Sequence, residues 1–411
     1  MESEAERRAK EAVMTTRKHL KSLVRERMRK TGEPYTVARR HIADADAHIS
    51  WSLRGGVHGD TAALANVLAN LGVVAPHTGE PLTEAMVLGV GGGLGAGYIL
   101  WEFNAHQFRT RVLTLGFRRL WQYPDRWARE TTSRLGLHAE VHETGSARAA
   151  AAALDAQLER GLPAIAWIDT YTLGHRGEPE WRDGYGGAPL IVYERVGDSY
   201  AIDDLSTTRV LVPAERLAAA RARVGSYKHR LITIDPERID LDLRPAVEEG
   251  LRLQVEHLSE RSDSFSLPAW RKWGRMTTDV RNKKGWPTVF ADGLGTGSLR
   301  ASIYAEAAHG AHLRGLYADF LDEAAELLDR DSLTEVATAW RQAAACWDQI
   351  IDAALAPGDE LREAIDREDA ARWELQLDRD QTVGKLPEVG EPVAAMYQAE
   401  TYALELLASA Q

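Results

Sequence analysis

Cysteine is almost absent from this 411-residue chain, which has one, Cys346. A single thiol excludes an internal disulfide framework, and its position far along the chain leaves the front half with no cysteine nucleophile. Long apolar runs are also missing. Without a stretch of about 18 apolar residues no spanning helix is expected, and the start lacks the charged-then-apolar pattern of a secretory signal. These absences predict a soluble cytoplasmic protein. What is present is ordinary globular material, 44% hydrophobic and 27% charged. At about 150 residues per domain the length predicts two or three units. The formal net charge of -11 argues against nucleic acid as a partner, because a phosphate backbone rewards a positive surface.

Positive charge is concentrated at the front. Between Arg7 and Arg40 arginine and lysine recur against few acids, with Arg25, Arg27, Arg29 and Lys30 closely spaced. Leu20, Leu23, Val24 and Met28 fall at helical spacing, so an amphipathic helix is expected over 15–30, stopped at Gly32 and Pro34. Two readings stand. The helix is a solvated one that docks its narrow apolar stripe on the domain behind it, or it meets an acidic macromolecule such as a carrier protein. In the second case, deleting 1–33 weakens binding to the acidic partner in a salt-sensitive way. The expected units are a basic helix over 1–35, an α+β domain over 36–237 and a helical domain over 238–411.

The middle section alternates helix and strand signals. Asp60 or Gly59 can cap a helix whose Leu64, Val67, Leu68 and Leu71 share one face and whose end is marked by Gly72. Strands are expected at 111–116, 164–168, 190–194, 199–204 and 231–234, with a hairpin turning at Gly197-Asp198. Helices are expected at 147–160 and 217–224. A helix followed by an antiparallel sheet predicts an α+β fold with helices to one side. In papain-like folds of that order the nucleophile sits at the start of the first helix, where free N–H groups and the helix dipole lower a thiol pKa. Here the helix start has no thiol.

Several stretches carry a resemblance. His58-Gly59-Asp60-Thr61, Thr83-Glu84-Ala85, Gly91-Gly92-Gly93-Leu94-Gly95 and Tyr98 follow one another, and Leu113-Thr114-Leu115-Gly116-Phe117-Arg118, Trp167-Ile168-Asp169-Thr170-Tyr171 and Asp203-Asp204 come later. In this pattern the region from about 36 to 236 resembles the N-terminal domain of the butirosin biosynthesis protein H family. The rear, with Trp270-Arg271-Lys272-Trp273 and the run 313–321, resembles the uncharacterised helical domain that commonly follows it. The resemblance implies a papain-like fold that moves an aminoacyl group from a carrier-protein thioester to a small-molecule amine in antibiotic biosynthesis. The family cysteine falls at Gly59, and its histidine falls at Ala188 or Pro189. Loss of both argues against covalent transfer, since removing one such residue alone typically costs on the order of a million-fold in kcat.

Candidate acid or base groups remain: His58, Asp60 and Thr61 at the helix start, with Asp169, His175, Asp183, Asp203 and Asp204 from later segments. Each has a structural alternative, a helix cap for Asp60, a first-turn hydroxyl for Thr61 and loop solvation for Asp203 and Asp204. Two functions follow, an enzyme aiding direct aminolysis and a scaffold that holds an acyl carrier protein or precursor peptide. Converging acids in an open pocket under Gly59 favour the first; apolar side chains filling it favour the second. A homo-oligomer is left open.

No cofactor, metal or membrane partner is predicted. The glycine run at 91–97 lacks a preceding strand and the acidic residue of a dinucleotide fingerprint, and Gly293-Leu294-Gly295-Thr296-Gly297 lacks the Lys-Ser/Thr of a phosphate loop. His138 and His142 lie about 13 Å apart on a strand, too far to share a metal. Leucine and tryptophan spacing over 316–351 predicts an antiparallel helix pair with Cys346 buried in it. Trp270, Trp273, Trp286 and Tyr317 are expected to line a cleft between domains.

Overall fold

The computed structural model describes residues 51–105, 108–377 and 383–411. The basic segment and its expected helix lie outside these residues.

Helix α1 (Gly59–Asn70) is rich in alanine and leucine and is buried from Thr61 to Leu68. It is followed by α2 (Glu84–Val90), which Thr83 caps by accepting from the Met86 amide. The glycine run then leads into β1 (Leu94–Ala105), which pairs antiparallel with β2 (Phe108–Arg118). Its glycines serve close packing. A Cβ on Gly93, where φ is +69°, would stand 1.9 Å from the Gln254 side-chain amide oxygen, and one on Gly95 would stand 2.5 Å from the Arg118 backbone carbonyl.

After α3 (Pro124–Arg134) the chain builds an antiparallel sheet from β3 (Leu137–His142), β4 (Ala164–Asp169), β5 (Gly187–Val196), β6 (Ser199–Asp203), β7 (Val210–Pro213) and β8 (Leu231–Ile239). The order is β3-β8-β4-β5-β6-β7. Side chains alternate between its faces. On β4, Ala164, Ala166 and Ile168 join Leu154 and Leu158 of α4 (Ala147–Glu159) and Leu217 of α6 (Ala214–Arg223). Ile165 and Trp167 face the other way, into the cluster that holds α1. Both faces are therefore apolar, which is why this strand reads as a continuous hydrophobic run. A short helix α5 (Thr170–Leu173) follows β4 directly.

The rest is helical: α7 (Leu243–Ser259), α8 (Pro268–Thr278), α9 (Trp286–Val289), α10 (Thr296–Leu328), α11 (Ser332–Ala354), α12 (Glu360–Asp366), α13 (Arg372–Leu377) and α14 (Gly390–Ser409). Helices α10 and α11 are the expected pair, joined through Asp329 in the left-handed region at φ +62°. Cys346 is half-buried rather than enclosed. The expectation of an aromatic cleft is corrected: Trp270, Trp273, Trp286 and Tyr317 are fully buried core residues.

One apolar cluster runs from Ala63 to Leu407. Its polar centre is Glu400 on α14, which accepts from Arg314 Nε at 2.8 Å, Trp270 Nε1 at 2.9 Å and Trp347 Nε1 at 3.2 Å. Arg314 also donates to the Gly95 carbonyl at 3.3 Å, tying α10 to β1. A second tie is the hydrogen bond from the Leu115 amide to the Glu306 carboxyl at 3.0 Å. The sheet-bearing and helical regions thus share one interior. Together they make an α+β molecule, papain-like in front and helical behind.

Candidate functional site

The start of α1 is built around a carboxylate that the spacing arguments did not single out as a site residue. Glu84 accepts from the amides of Val57 at 2.8 Å and His58 at 2.9 Å and from the Thr61 hydroxyl at 2.7 Å. It thereby fixes the turn that enters the helix. His58 is the capping residue, its Nδ1 accepting from the Asp60 amide at 3.2 Å. This corrects the expected cap at Asp60 or Gly59. The His58 ring lies 5.5 Å from that of His309 on α10. Burial first, then Arg118 and His309, push its pKa well below the usual histidine value, so the ring is neutral.

Gly59 faces Pro189 across this corner. A Cβ on Gly59 would lie 3.2 Å from Cγ and 3.3 Å from Cδ of the proline ring. Of Ala188 and Pro189, the proline is therefore the residue that meets Gly59. Proline is tolerated in β5 because the ladder to β6 stops at Ile191–Asp203, leaving Pro189 beside an open edge.

The remaining candidates are engaged elsewhere. Asp60 is paired at 2.6 Å with Arg118, which is itself buried and lies 4.5 Å over the Trp127 ring. Thr61 is fully buried and donates to Glu84. Asp169 caps α5 and accepts from the amides of Thr172, Gly184 and Gly186 and the Thr172 hydroxyl at 2.7–2.9 Å. Burial alone would raise its pKa, but these donors hold it below the usual aspartate range. Asp203 accepts from Trp51 Nε1 and the Leu205 amide, and burial raises its pKa. Asp204 pairs with His175 at 2.9 Å and Arg176 at 2.7 Å. One Asp183 oxygen is buried without a hydrogen-bond partner among the described residues. His58, Asp60 and Thr61 come together through the helix turn; Asp169 and Asp203 brace other segments.

Beside this corner, between the sheet-bearing and helical regions, lies a cavity of about 890 Å³. Its aromatic lining comes from Trp101, Tyr171, Trp181, Tyr185, Tyr227 and Trp373, with Arg182, Arg372 and Glu306 among the polar groups. The Asp169 hydrogen bonds shape the loop that brings Tyr171 and Arg182 to it. Gly187 makes room there for Tyr227, whose hydroxyl a Cβ would meet at 1.9 Å. Glu306 sits one turn before His309 on α10, and burial pushes its carboxyl up to about 8 against the opposing Leu115 amide. The spacing arguments missed the cavity because its residues come from distant segments. The Thr83-Glu84-Ala85 stretch was the one signal for the Glu84 brace. Among the described residues no group of three His, Cys, Asp or Glu is placed to hold a metal, and no helix is long and apolar enough to cross a membrane.

No curated protein matches the chain. Residues 215–377 match the model of a domain of unknown function, DUF4872. Residues 58–205 match the family described as butirosin biosynthesis protein H, N-terminal. Residues 58–205 thus belong to the butirosin biosynthesis protein H N-terminal family and are followed, in order, by the uncharacterised domain.

Proposed function

We propose that this protein is a binding component of antibiotic biosynthesis, which holds an acyl group presented by a carrier protein, or a precursor peptide, without forming an acyl-enzyme. The family name supplies the biosynthetic setting. The observation that carries the non-covalent reading is the contact of Pro189 with the empty position at Gly59. A nucleophile and base are missing, and the space between their positions is closed by an apolar ring. The nearby carboxylates do not replace them. Asp60 is neutralised by Arg118, and Asp169 is saturated by hydrogen-bond donors. The adjoining cavity supports a binding role because it is concave, largely aromatic and provided with a few polar groups.

The test uses the full chain with aminoacyl carrier proteins and amine acceptors, followed by mass spectrometry and a direct binding measurement. Saturable carrier binding without turnover is expected. Turnover by the unaltered protein would overturn the reading in favour of direct aminolysis, and loss of that turnover in Asp60→Ala would place the chemistry at the inherited corner.

A further inference from the structure

The Arg182 guanidinium stands out among the partly or fully buried arginines of this molecule. Arg118 is paired with Asp60, Arg230 with Glu143 and Arg314 with Glu400, and Arg221 donates to the carbonyls of Ala150 and His229. Arg182 lines the cavity, and its guanidinium has neither a carboxylate nor a carbonyl partner among the described residues. Its charge is instead surrounded by rings, at 4.6 Å from the centre of Tyr171, 4.9 Å from Trp373 and 5.7 Å from Trp181. Those rings brace one another edge to face, Tyr171 and Trp181 each against Trp373. This is a preformed aromatic box around a cation. Ring faces hold a guanidinium in place but leave its N–H donors unspent.

We propose that the cavity binds a small anion carried on a flat apolar body, with Arg182 as the anchor for its carboxylate or phosphate. A guanidinium fork matches either group bidentately, and the low-dielectric aromatic walls strengthen the bond. Arg372, which lies 4.9 Å over Trp373, adds a second positive charge to the same wall. The acid that shares the lining does not oppose an anion: Glu306 is held protonated at neutral pH by its burial, and its hydroxyl can donate to the ligand. The volume, about 890 Å³, suits a ligand of drug-like size. The inference rests on the binding reading above in that it names what the cavity takes. It needs neither a carrier nor turnover.

Calorimetry of the full chain with phenyl phosphate, phenylacetate, benzyl alcohol and phenethylamine tests it. At least one of the two anions should bind saturably, and the neutral and cationic probes at least about tenfold more weakly, the worth of one charge-assisted pair. The phosphate and carboxylate arms show which anion is preferred. Arg182→Gln should weaken anion binding by about tenfold or more, with Arg182→Lys intermediate. Should Arg182→Gln fail to fold, phenylglyoxal labelling of the unaltered protein takes its place, and the bound anion should protect Arg182. Benzyl alcohol binding as tightly as the anions, a folded Arg182→Gln with unchanged affinity, an unprotected Arg182, or no anion binding below about 10 mM, weaker than any ordinary site, would each overturn the proposal. Anion binding without carrier binding would leave the cavity assignment standing and remove the carrier reading; carrier binding without anion binding would do the reverse.

Discussion

A cysteine placed at residue 59 would meet the Pro189 ring before it met any base. With its Cβ 3.2 Å from that ring, Gly59→Cys should cost about 1–3 kcal/mol by overpacking, and its thiol should alkylate slowly with iodoacetamide. Gly59→Cys combined with Pro189→His removes the obstruction and places an imidazole beside a helix N-terminus, which together depress a thiol pKa. In a Cys346→Ser background the pair should alkylate faster at neutral pH, followed by mass; equal rates in the two variants would contradict this. Glu84 gives a second residue-level expectation. Glu84→Ala strands the amides of Val57 and His58 and the Thr61 hydroxyl and should lower stability by roughly 3 kcal/mol in urea unfolding. His58, Asp60 and Thr61 could be read as a cluster from their adjacency alone. Their roles could not, because Glu84 and Arg118 reach them from 23 or more positions along the chain.

At the scale of elements, the segment after β4 is held by one carboxylate. Asp169 takes hydrogen bonds from Thr172, Gly184 and Gly186, so Asp169→Ala should loosen the whole loop that carries Tyr171, Trp181 and Arg182 and weaken anion binding as well as stability. Its folded pKa is depressed, so its stabilisation is present above the usual aspartate pKa and is lost as pH falls through the lower folded value. The thermal midpoint of Asp169→Ala should therefore approach that of the unaltered protein in that acid range. A constant gap down to pH 2 would count against the assignment. Most elements were legible: the expected strands at 164–168 and 231–234 lie inside β4 and β8, because alternation and breaker residues act locally. The cap of α1 was misread because a histidine ring nitrogen took the place of the commoner oxygen acceptors.

For the whole molecule, the buried pair Arg314–Glu400 joins α10 and α14 at 2.8 Å with no exposure on either side chain. Glu400→Gln leaves a guanidinium charge uncompensated in the core and should cost about 3–5 kcal/mol, read from denaturant unfolding. Since one cluster extends from Ala63 to Leu407, that loss should shift a single transition rather than split off a helical unit. Glu306 introduces a pH dependence of the opposite sense to Asp169. Its folded pKa is raised to about 8, so the stabilisation it gives is complete below the ordinary glutamate pKa and disappears as pH rises through about 8. Compared with Glu306→Gln, the unaltered protein should lose more thermal stability between about pH 4 and pH 8.5, which spans those two values. Parallel curves would show that the carboxyl is not held protonated.

By itself the sequence determined the α+β order, the family pattern and the absence of a front-half thiol, all of which are written in local spacing and composition. The tertiary structure alone decided that Pro189 closes on Gly59, that Asp60 is spent on Arg118, that the predicted cleft tryptophans are core, and that Arg182 and Glu306 share a cavity. The physical reason is range. Hydrophobic period and turn chemistry act over a few residues, whereas burial, charge pairing and cavity shape depend on which distant segments the packed core brings into contact.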